Sequence, residues 1–429
     1  MKLIRWITLF ALIYVGGPAH AALEISVIGG GDSALPIAIV PFAQIPEVTT
    51  DLAQVIDADL ARSGRFRTLP RGDMLQKPIT PAQIDASAWR AQGINNVVVG
   101  QVAKSDAGGY FARFFLVDAV SGQQLLGFDI PARSLDQMRY VAHQIADLIY
   151  EKLLGLPGYF NTKIAYVTAK GIGYQRSFEL VIADSDGENP RIVATSRETL
   201  MSPAWSPDRK QLAYVGYEKG RSAIYLHTLA TGEVKRLISE KGINGSPAFS
   251  PDGKYLALTL SFEKNPDIYI LDIRNGSRRR LTDHYGIDTE AAWSPDGSRL
   301  AFTSDRGGQP HIYEVGIEGG DPRRLTFGGR QNLRAAYSPD GTSLAMVNLD
   351  GGRYRIGLLD LTSNDMRVLS DGPMDESPSF APGGAVIIYA TQTSRGAELA
   401  TVSIDGKVRQ SMRQAGGDVR EPAWSPLLK

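Results

Sequence analysis

Few residues of this chain have the types and spacing that catalysis requires. The 429-residue sequence has no cysteine, which excludes a thiol nucleophile and thiolate metal ligands. The histidines after residue 21 are His143, His227, His284 and His311, and they fall in different parts of the pattern. There is no G-x-S-x-G elbow, P-loop, G-x-G-x-x-G or H-E-x-x-H motif. The sequence therefore predicts a protein that is not an enzyme and that holds no metal or cofactor.

One short segment resembles the beginning of a calcium-binding loop. It is Asp184–Gly187, with the letters DSDG. The later ligand positions of an EF-hand loop are missing, and the segment falls where a hairpin turn is expected. We interpret it as a hairpin turn.

Charged residues of both signs recur in loops that precede a repeated Ser-Pro motif. Variable polar loops on a rigid scaffold are common binding sites, and mixed charge without a nucleophile favours protein recognition. A solvated rim is the alternative for most of these residues. They are Glu198, Asp288, Glu290, Asp375, Glu376, Glu421, Arg197, Arg330, Arg334 and Arg420.

The repeated motif predicts the scaffold that positions these loops. Residues 202–208 read SPAWSPD, and related segments begin at residues 246, 290, 334, 377 and 421. The second proline of each copy follows the previous one after 44, 44, 44, 43 and 44 residues. A period of about 40 to 50 residues is typical of a propeller or a solenoid.

Each period contains four short apolar or alternating runs with glycine-containing turns between them. None shows the 3.6-residue period of a helix, so each period predicts a four-stranded propeller blade. The Ser-Pro-Asp-Gly segments fit type I turns. The aromatic residues before them are expected between neighbouring blades: Trp205, Phe249, Trp293, Tyr337, Phe380 and Trp424.

The last copy of the motif supplies only one strand, and its missing partners lie upstream. The runs 163–168, 178–184 and 190–194 match the second, third and fourth strands of a blade. Strand 422–425 is therefore expected to close a ring of six blades, five continuous and one composite. The loops between the fourth strand of one blade and the first of the next then surround one mouth of the channel.

Residues 22–155 do not share the 44-residue repeat, and their mixed strand and helix patterns predict a small α/β domain. Strands are expected at 36–42, 96–103, 110–117 and 125–130. Helices are expected at 49–63, from a capping box at Thr80 to about residue 92, and from a capping box at Ser134 to about 153. Residues 156–162 form the linker to the propeller at 163–429.

The first 21 residues are typical of a secretory signal peptide. Lys2 and Arg5 precede a ten-residue apolar core, and Ala19-His20-Ala21 is a suitable cleavage site. The core is too short to span a bilayer. We therefore expect cleavage after Ala21 and an exported protein. The whole chain has 46 basic and 46 acidic residues, which argues against a nucleic-acid partner.

The segment 22–33 alternates apolar and polar residues and then continues into three glycines. One interpretation is an ordinary edge strand with a flexible turn. The other is a mobile, detachable strand that adds to the sheet edge of a partner.

The order of these parts, with LMSPAWSPD at Leu200 and EPAWSP at Glu421, resembles the TolB family of periplasmic propeller proteins. The resemblance implies a multi-domain α+β fold: a small N-terminal α/β domain followed by a C-terminal six-bladed β-propeller that the C-terminal strand closes. It also implies an adaptor of the Tol-Pal system that supports outer-membrane integrity and envelope constriction at cell division, is a monomer and is parasitised by colicins. A propeller-type hydrolase and a small-ligand-binding propeller are the alternatives.

The resemblance also assigns partners to two surfaces. The peptidoglycan-associated lipoprotein Pal is expected at the propeller mouth, and TolA at the strand after the signal peptide. In some family members a histidine stands beside the asparagine that matches Asn244. In this sequence that neighbour is Ile243. The residues predicted for Pal are Glu198, Thr199, Asn244, Asp288, Thr289, Glu290, Asn332, Glu376 and Glu421. Those predicted for TolA are Leu23, Glu24, Ile25, Ser26, Val27 and Ile28.

Overall fold

A computed structural model describes residues 23–29, 34–171, 175–413 and 417–427 of the chain. The predicted signal peptide, its cleavage site after Ala21 and most of the glycine turn lie outside the described residues. The fold is a six-bladed propeller preceded by a small α/β domain. We keep the boundaries at residues 155/156 and 162/163 as a proposal.

The N-terminal domain combines a mixed sheet with three α-helices. In chain order, its elements and the preceding strand are β1 (Glu24–Gly29), β2 (Leu35–Ile39), β3 (Ala43–Gln44), α1 (Leu52–Arg62), β4 (Phe66–Thr68), α2 (Ala86–Ala91), β5 (Asn96–Lys104), β6 (Tyr110–Asp118), β7 (Gln124–Ala132) and α3 (Met138–Leu154). The sheet order is β4-β2-β5-β6-β7, with β3 also beside β5. Strand β2 runs parallel to both of its neighbours, and β5, β6 and β7 are antiparallel.

The predicted pattern of the first helix is confirmed. The Asp51 carboxylate accepts the backbone N–H of Gln54 and caps α1. Leu52, Ile56 and Leu60 are fully buried on one face of the helix, which packs against α3. Gly64 has a left-handed φ of 65°, as a residue just past a helix end requires.

The helix predicted from Thr80 to about residue 92 is wrong in its extent. The Thr80 capping box forms, but it closes only a 3₁₀ turn at Pro81–Gln83. The carboxylate of Asp85 then accepts the N–H groups of Ser87 and Ala88 and begins α2 separately. A second capping residue inside the predicted helix therefore divides it.

The last helix also begins with a 3₁₀ turn, at Leu135–Gln137, before α3. The Ser134 side chain makes no capping hydrogen bond; instead the Gln137 side chain accepts the N–H of Arg133. The predicted stop at Gly155 is confirmed by its left-handed φ of 69°.

The propeller begins with the three strands of the composite blade and continues through the five continuous blades. Its strands are β8 (Lys163–Lys170), β9 (Ser177–Asp184), β10 (Arg191–Ser196), β11 (Leu200–Trp205), β12 (Gln211–Glu218), β13 (Arg221–Thr228), β14 (Glu233–Ile238), β15 (Asn244–Phe249), β16 (Tyr255–Leu260), β17 (Asp267–Asp272), β18 (Arg278–Arg280), β19 (Asp288–Trp293), β20 (Arg299–Ser304), β21 (His311–Gly316), β22 (Arg323–Arg324), β23 (Gln331–Tyr337), β24 (Ser343–Asp350), β25 (Arg353–Asp360), β26 (Met366–Val368), β27 (Asp375–Phe380), β28 (Val386–Thr393), β29 (Gly396–Ser403), β30 (Val408–Arg413) and β31 (Asp418–Trp424).

We number the blades I to V from β11–β14 to β27–β30, and the composite blade VI contains β8, β9, β10 and β31. The first strands of neighbouring blades contact each other around the ring. Two tryptophans confirm the predicted packing of the aromatic residues between blades, because each donates a hydrogen bond to a carbonyl of the neighbouring blade. Trp205 Nε1 donates to Ala423 O at 3.1 Å, and Trp293 Nε1 donates to Ala248 O at 3.0 Å.

The C-terminal strand closes the ring as predicted. Strand β31 pairs antiparallel with β8, so blade VI has the order β10-β9-β8-β31. Trp424 is 7% exposed, and its Nε1 donates to Thr162 Oγ1 at 2.8 Å. Tyr159 and Phe160, in the predicted linker, are also buried and join Trp424 in one aromatic cluster with the N-terminal domain.

The N-terminal strand lies on the propeller and not on its own domain. Strand β1 pairs antiparallel with β30, which gives blade V the order β1-β30-β29-β28-β27. It is an edge strand, as one interpretation of the sequence predicted, but the sheet to which it belongs is far away along the chain.

Candidate functional site

The channel of the propeller is lined at one position of every blade. Each first strand has a register shift, and the residue at that shift has a left-handed φ between 48° and 59°. Such bulges change the direction of a side chain. The six residues are Ser202, Ser246, Glu290, Arg334, Ser377 and Glu421. Four of them line a cavity of about 110 Å³ at the ring axis, together with neighbouring prolines and alanines.

An ion pair crosses this channel. Arg334 Nη2 and Glu421 Oε2 are 2.5 Å apart, and the Ser202 N–H also donates to Glu421 Oε2 at 3.3 Å. Burial opposes the ionisation of Glu421, but the charge and hydrogen bond of Arg334 outweigh it, so the pKa of Glu421 is lowered. Burial likewise opposes the charge of Arg334, and Glu421 overcomes it and raises the pKa of the guanidinium.

The carboxylates around the channel outnumber the cations that neutralise them. Burial, and then repulsion from Glu421, raise the pKa of Glu376 above its ordinary value, although Arg334 and Arg420 act in the opposite direction. Glu290 accepts a hydrogen bond from Thr303 Oγ1 at 3.1 Å. The mouth side of the channel therefore favours the approach of positive charge.

Three residues predicted to contact Pal are fully buried. Asn244, Asp288 and Asn332 occupy equivalent positions at or near the beginning of the first strands, and none exposes its side chain. Asn244 Oδ1 accepts the N–H of Glu240 at 2.8 Å, and Asp288 Oδ2 lies 2.7 Å from Arg306 Nη2. Their side chains are directed into the protein, where Asn244 and Asp288 hold the rim loops, although Asp288 Oδ1 has no hydrogen-bond partner among the described residues. Their assignment to Pal stays a prediction.

The other predicted rim residues are half-buried: Glu198, Thr199, Thr289, Glu290, Glu376 and Glu421. The Glu198 carboxylate accepts the N–H groups of Lys219 and Gly220 at 2.8 and 2.9 Å, which ties it to the tip of a neighbouring hairpin. Of the remaining five, Thr289, Glu290, Glu376 and Glu421 lie at or beside the bulges, where they contribute to the channel entrance. Thr199 lies just before β11, and its carbonyl accepts the N–H of Tyr217 at 3.2 Å.

Sequence reasoning missed an arc of exposed apolar residues on the same rim. They lie in the loops between fourth and first strands at four successive blade junctions, from I/II to IV/V. We call them the apolar arc: Ile243, Tyr285, Ile287, Phe327 and Met374. Tyr285 is 85% exposed and Phe327 is 75% exposed. Neighbouring exposed apolar side chains mark interaction sites. The available signal was a large apolar residue in each of these glycine- or proline-containing loops.

A cleft opens beside the arc between blades IV and V. It has a volume of about 220 Å³, with an apolar lining from Leu333, Val347, Tyr354 and Met374. The carboxylate-bearing residues Glu290, Asp375 and Glu376 also lie along it. The cleft can accept one side chain with an apolar stem and a positive or hydrogen-bonding tip.

The predicted TolA-binding residues form β1 together with the residue that precedes it. Their register places Glu24 opposite Arg413 and Gly29 opposite Val408. Leu23 is buried against the hairpin that joins β9 to β10, where its N–H donates to Gly187 O at 3.4 Å. Ile25 is half-buried, whereas Ser26, Val27 and Ile28 are exposed. The strand is thus attached by backbone pairing, by the buried side chain of Leu23 and by the half-buried side chain of Ile25, which packs against the hydrophobic core.

The DSDG segment is a hairpin turn, as predicted. The Gly187 N–H donates to Asp184 O at 2.8 Å, and the Asp184 carboxylate contacts Lys163 and Asn189. Within the described ranges, one group of histidine and carboxylate side chains has donor atoms within 4.8 Å of one another: Asp59, His143 and Asp186. No α-helix in the described part of the chain has the length and apolarity needed to span a bilayer.

Comparison with known proteins supplies the family. Residues 150–428 match the family model described as the TolB beta propeller domain, and residues 23–125 match the TolB amino-terminal domain. The Tol-Pal system protein TolB of Methylococcus capsulatus is 61% identical over 422 residues, which are 98% of each chain. The protein of the same name from Thioalkalivibrio sulfidiphilus is 54% identical over 435 residues, 100% of this chain and 99% of its own.

A solved structure supports the same relationship. The crystal structure of TolB from Acinetobacter baumannii superposes with a TM-score of 0.87 at 39% sequence identity. The match covers 94% of this chain and 100% of that one.

Proposed function

Because this chain belongs to the TolB family, we propose that it is a non-enzymatic adaptor of the Tol-Pal system in the periplasm. It binds Pal at the propeller mouth and TolA through β1, and so supports outer-membrane integrity and envelope constriction at cell division. Colicins are further candidate ligands. The observation that carries the proposal is the apolar arc, since it gives the rigid ring a surface suited to another protein.

The apolar arc and the cleft supply what a protein interface needs at its centre. Exposed Tyr285 and Phe327 are large side chains of few rotatable bonds, and aromatic residues are enriched among the strongest contacts of interfaces. The half-buried carboxylates of the channel entrance form the polar rim. The arc covers four of the six junctions, so Pal is expected off the ring axis, over blades II to IV.

Titration calorimetry with purified Pal tests the mouth. We expect Phe327→Ala and Tyr285→Ala each to weaken binding by about 10- to 100-fold, because truncation of a central aromatic costs about 1.5 to 3 kcal/mol. Phe128→Ala is the matched control, since Phe128 is an exposed aromatic on β7, in the other domain. Unchanged affinity in both arc variants would place Pal elsewhere.

TolA binding through β1 requires the strand to leave β30 if TolA takes the backbone edge that pairs with β30 or the side chains of Leu23 and Ile25. The chain lacks cysteine, so a single engineered pair can test this requirement. Ser26 and Ser411 are directly opposite in the register, and cysteines at opposed positions of antiparallel strands are close enough to bond. We expect Ser26→Cys with Ser411→Cys to bind TolA when reduced and to lose binding when oxidised.

Deletion of residues 22–33 provides the complementary experiment. TolA binding should disappear, while the circular dichroism and Pal affinity of the propeller stay unchanged. If the oxidised double-cysteine protein binds TolA as well as the reduced one, TolA does not need the released strand. If the truncated protein also binds normally, the TolA site is not β1.

A further inference from the structure

A buried polar cluster joins the N-terminal domain to blade VI. Asp59 lies on α1, His143 on α3, and Asp186 in the hairpin between β9 and β10. His143 Nδ1 is 2.6 Å from Asp59 Oδ2, whereas Nε2 is 3.7 Å from Asp186 Oδ2 on the other side of the domain boundary. Asp59 and His143 are 1% and 3% exposed. A single imidazole ring therefore stands between two carboxylates from different domains.

Charged neighbours surround this ring from every element packed against it. Arg62 of α1 contacts Asp59 and donates to Ser185 O at 3.0 Å, and Arg139 of α3 pairs with Asp186. The other ionisable groups around the cluster are Lys163 and Asp184 of blade VI, Asp147 of α3, and Tyr159 of the linker.

The three cations Arg62, Arg139 and Lys163 balance the three carboxylates Asp59, Asp184 and Asp186. The net charge of these six groups together with His143 therefore depends on whether His143 is protonated. Because both guanidiniums already contact the carboxylates nearest the ring, a divalent cation would have to displace them.

Nε2 of His143 can donate a hydrogen bond to Asp186 only when the imidazole ring is protonated at this nitrogen. Nε2 is buried and makes no hydrogen bond to the residues that the structure describes. A neutral imidazole that donates from Nδ1 to Asp59 has no proton on Nε2, so it offers nothing to Asp186. The imidazolium has both protons and attracts both carboxylates.

The hairpin between β9 and β10 also contacts Leu23, the residue that precedes β1. Leu23 packs on Gly187, the residue after Asp186; a Cβ added at Gly187 would lie 2.5 Å from Leu23 Cβ. The Arg62 carbonyl also accepts a hydrogen bond from Gln410 on β30, the strand with which β1 pairs. Movement of the hairpin away from α1 and α3 would therefore disturb the contacts that hold Leu23.

We propose that His143 is a proton-controlled latch: its imidazolium holds the Asp186 hairpin against the N-terminal domain and thereby keeps β1 docked. Loss of the proton loosens the hairpin, and β1 separates from β30 more often. If β1 is the TolA-binding strand, as proposed above, its availability increases with pH across the neutral range.

Asp147 acts in the same direction. Burial raises its pKa to about 7, although it accepts the N–H groups of Phe160 and Asn161. A carboxyl whose pKa is raised on folding favours the folded junction at low pH, and that contribution is lost as pH rises from its ordinary value towards 7. The junction between the domains therefore weakens with rising pH through both groups.

Hydrogen exchange with mass spectrometry of the isolated, full mature chain tests the latch without any partner. After correction for the intrinsic exchange rate, we expect amide protection of residues 23–29 to fall about tenfold between about pH 6 and pH 8. His143→Gln should remove most of this change and leave only the part that is due to Asp147. His227→Gln is the matched control, because His227 is also a buried histidine but lies within blade I; it should behave like the wild type.

Three results would overturn the proposal. They are a wild type whose β1 protection does not change with pH, a His143→Gln protein that keeps the full change, and a Zn²⁺-induced rise in Tm that His143→Gln abolishes, since the last would indicate a metal site. Asp186→Asn gives the same test if His143→Gln does not fold. The readout lies within the chain, so absence of TolA binding to β1 would leave it unaffected.

Discussion

Two terminal strands complete sheets of this propeller, and they are attached in different ways. Strand β31 occupies the inner edge of blade VI and β1 the outer edge of blade V. Both pair antiparallel with a strand that is distant along the chain, β8 for β31 and β30 for β1. Beyond the backbone, β31 contributes a buried tryptophan and a channel ion pair, whereas the last two apolar residues of β1, Val27 and Ile28, are exposed.

The comparison shows that backbone pairing alone does not decide how permanent a strand is. Exchange of protein hydrogen bonds for water hydrogen bonds changes the free energy by only about 1 kcal/mol per bond, whereas a buried large side chain contributes several times more. We therefore expect β31 to be a permanent part of the ring and β1 to separate from it more readily. Substitutions at four positions sharpen this contrast.

Trp424→Ala should have the largest effect. Loss of a buried tryptophan costs about 3 to 5 kcal/mol of unfolding free energy, and here it also removes the side chain that anchors the closing strand β31 through Thr162. Urea unfolding followed by circular dichroism measures it. Trp424→Phe, which loses chiefly the hydrogen bond to Thr162, should cost about 1 to 2 kcal/mol. A small effect of both changes would mean that β31 is no more essential to the ring than β1.

Glu421→Ala should destabilise the ring by about 2 kcal/mol, between the values for exposed and buried ion pairs, because Arg334 is then left without its closest partner. Thermal unfolding at low and high salt measures the loss. Glu318→Ala, on the outer side of blade III, is the control and should change Tm little. Equal stability of both proteins would show that the channel ion pair does not contribute to closure.

Leu23→Ala should loosen β1 and leave the rest of the fold intact. Removal of the buried side chain is expected to reduce the free energy of β1 docking by about 2 kcal/mol, which is roughly a 30-fold increase in the undocked fraction. Hydrogen exchange of residues 24–29 measures it, and β31 serves as the internal reference. If protection in β31 falls equally, the two strands belong to one cooperative unit.

Ile28→Ala should have the smallest effect on stability. Its side chain is 72% exposed, so we expect a change within about 0.5 kcal/mol and unaltered exchange of β1. TolA affinity, measured by calorimetry, should nevertheless fall if the exposed face of β1 contacts TolA. Unchanged affinity would limit the TolA contact to the other residues of the strand.

Most of the propeller could be predicted because its information is local and repeated. The 44-residue period, the Ser-Pro-Asp-Gly turns and the preceding aromatic residue each restate one blade, and the unpaired copy at Glu421 implied the composite blade. The extent of the second helix could not be read in this way. Both Thr80 and Asp85 are good N-caps, and only the three-dimensional packing shows that each begins its own short element.

The site was less predictable, because residue type does not fix which way a side chain points. Asn244 and Asp288 are polar residues in rim loops, yet both point inward and hold those loops together. Phe327 looks like a core residue by type, yet it is exposed on the rim. The docking of β1 on β30 joins residues 24–29 to residues 408–413, and no repeated sequence motif indicates this pairing.

The pairing of β31 with β8 has a consequence for the biogenesis of the protein. Lys163 and Ser425 hydrogen-bond to each other across 262 positions, so a chain made from its N-terminus exposes the open edge of β8 until residues 418–425 are available. Such distant pairing forms slowly, and an unpaired edge invites aggregation. A chain that ends before β31 is therefore expected to leave this edge open and to aggregate more readily than a chain that contains β31.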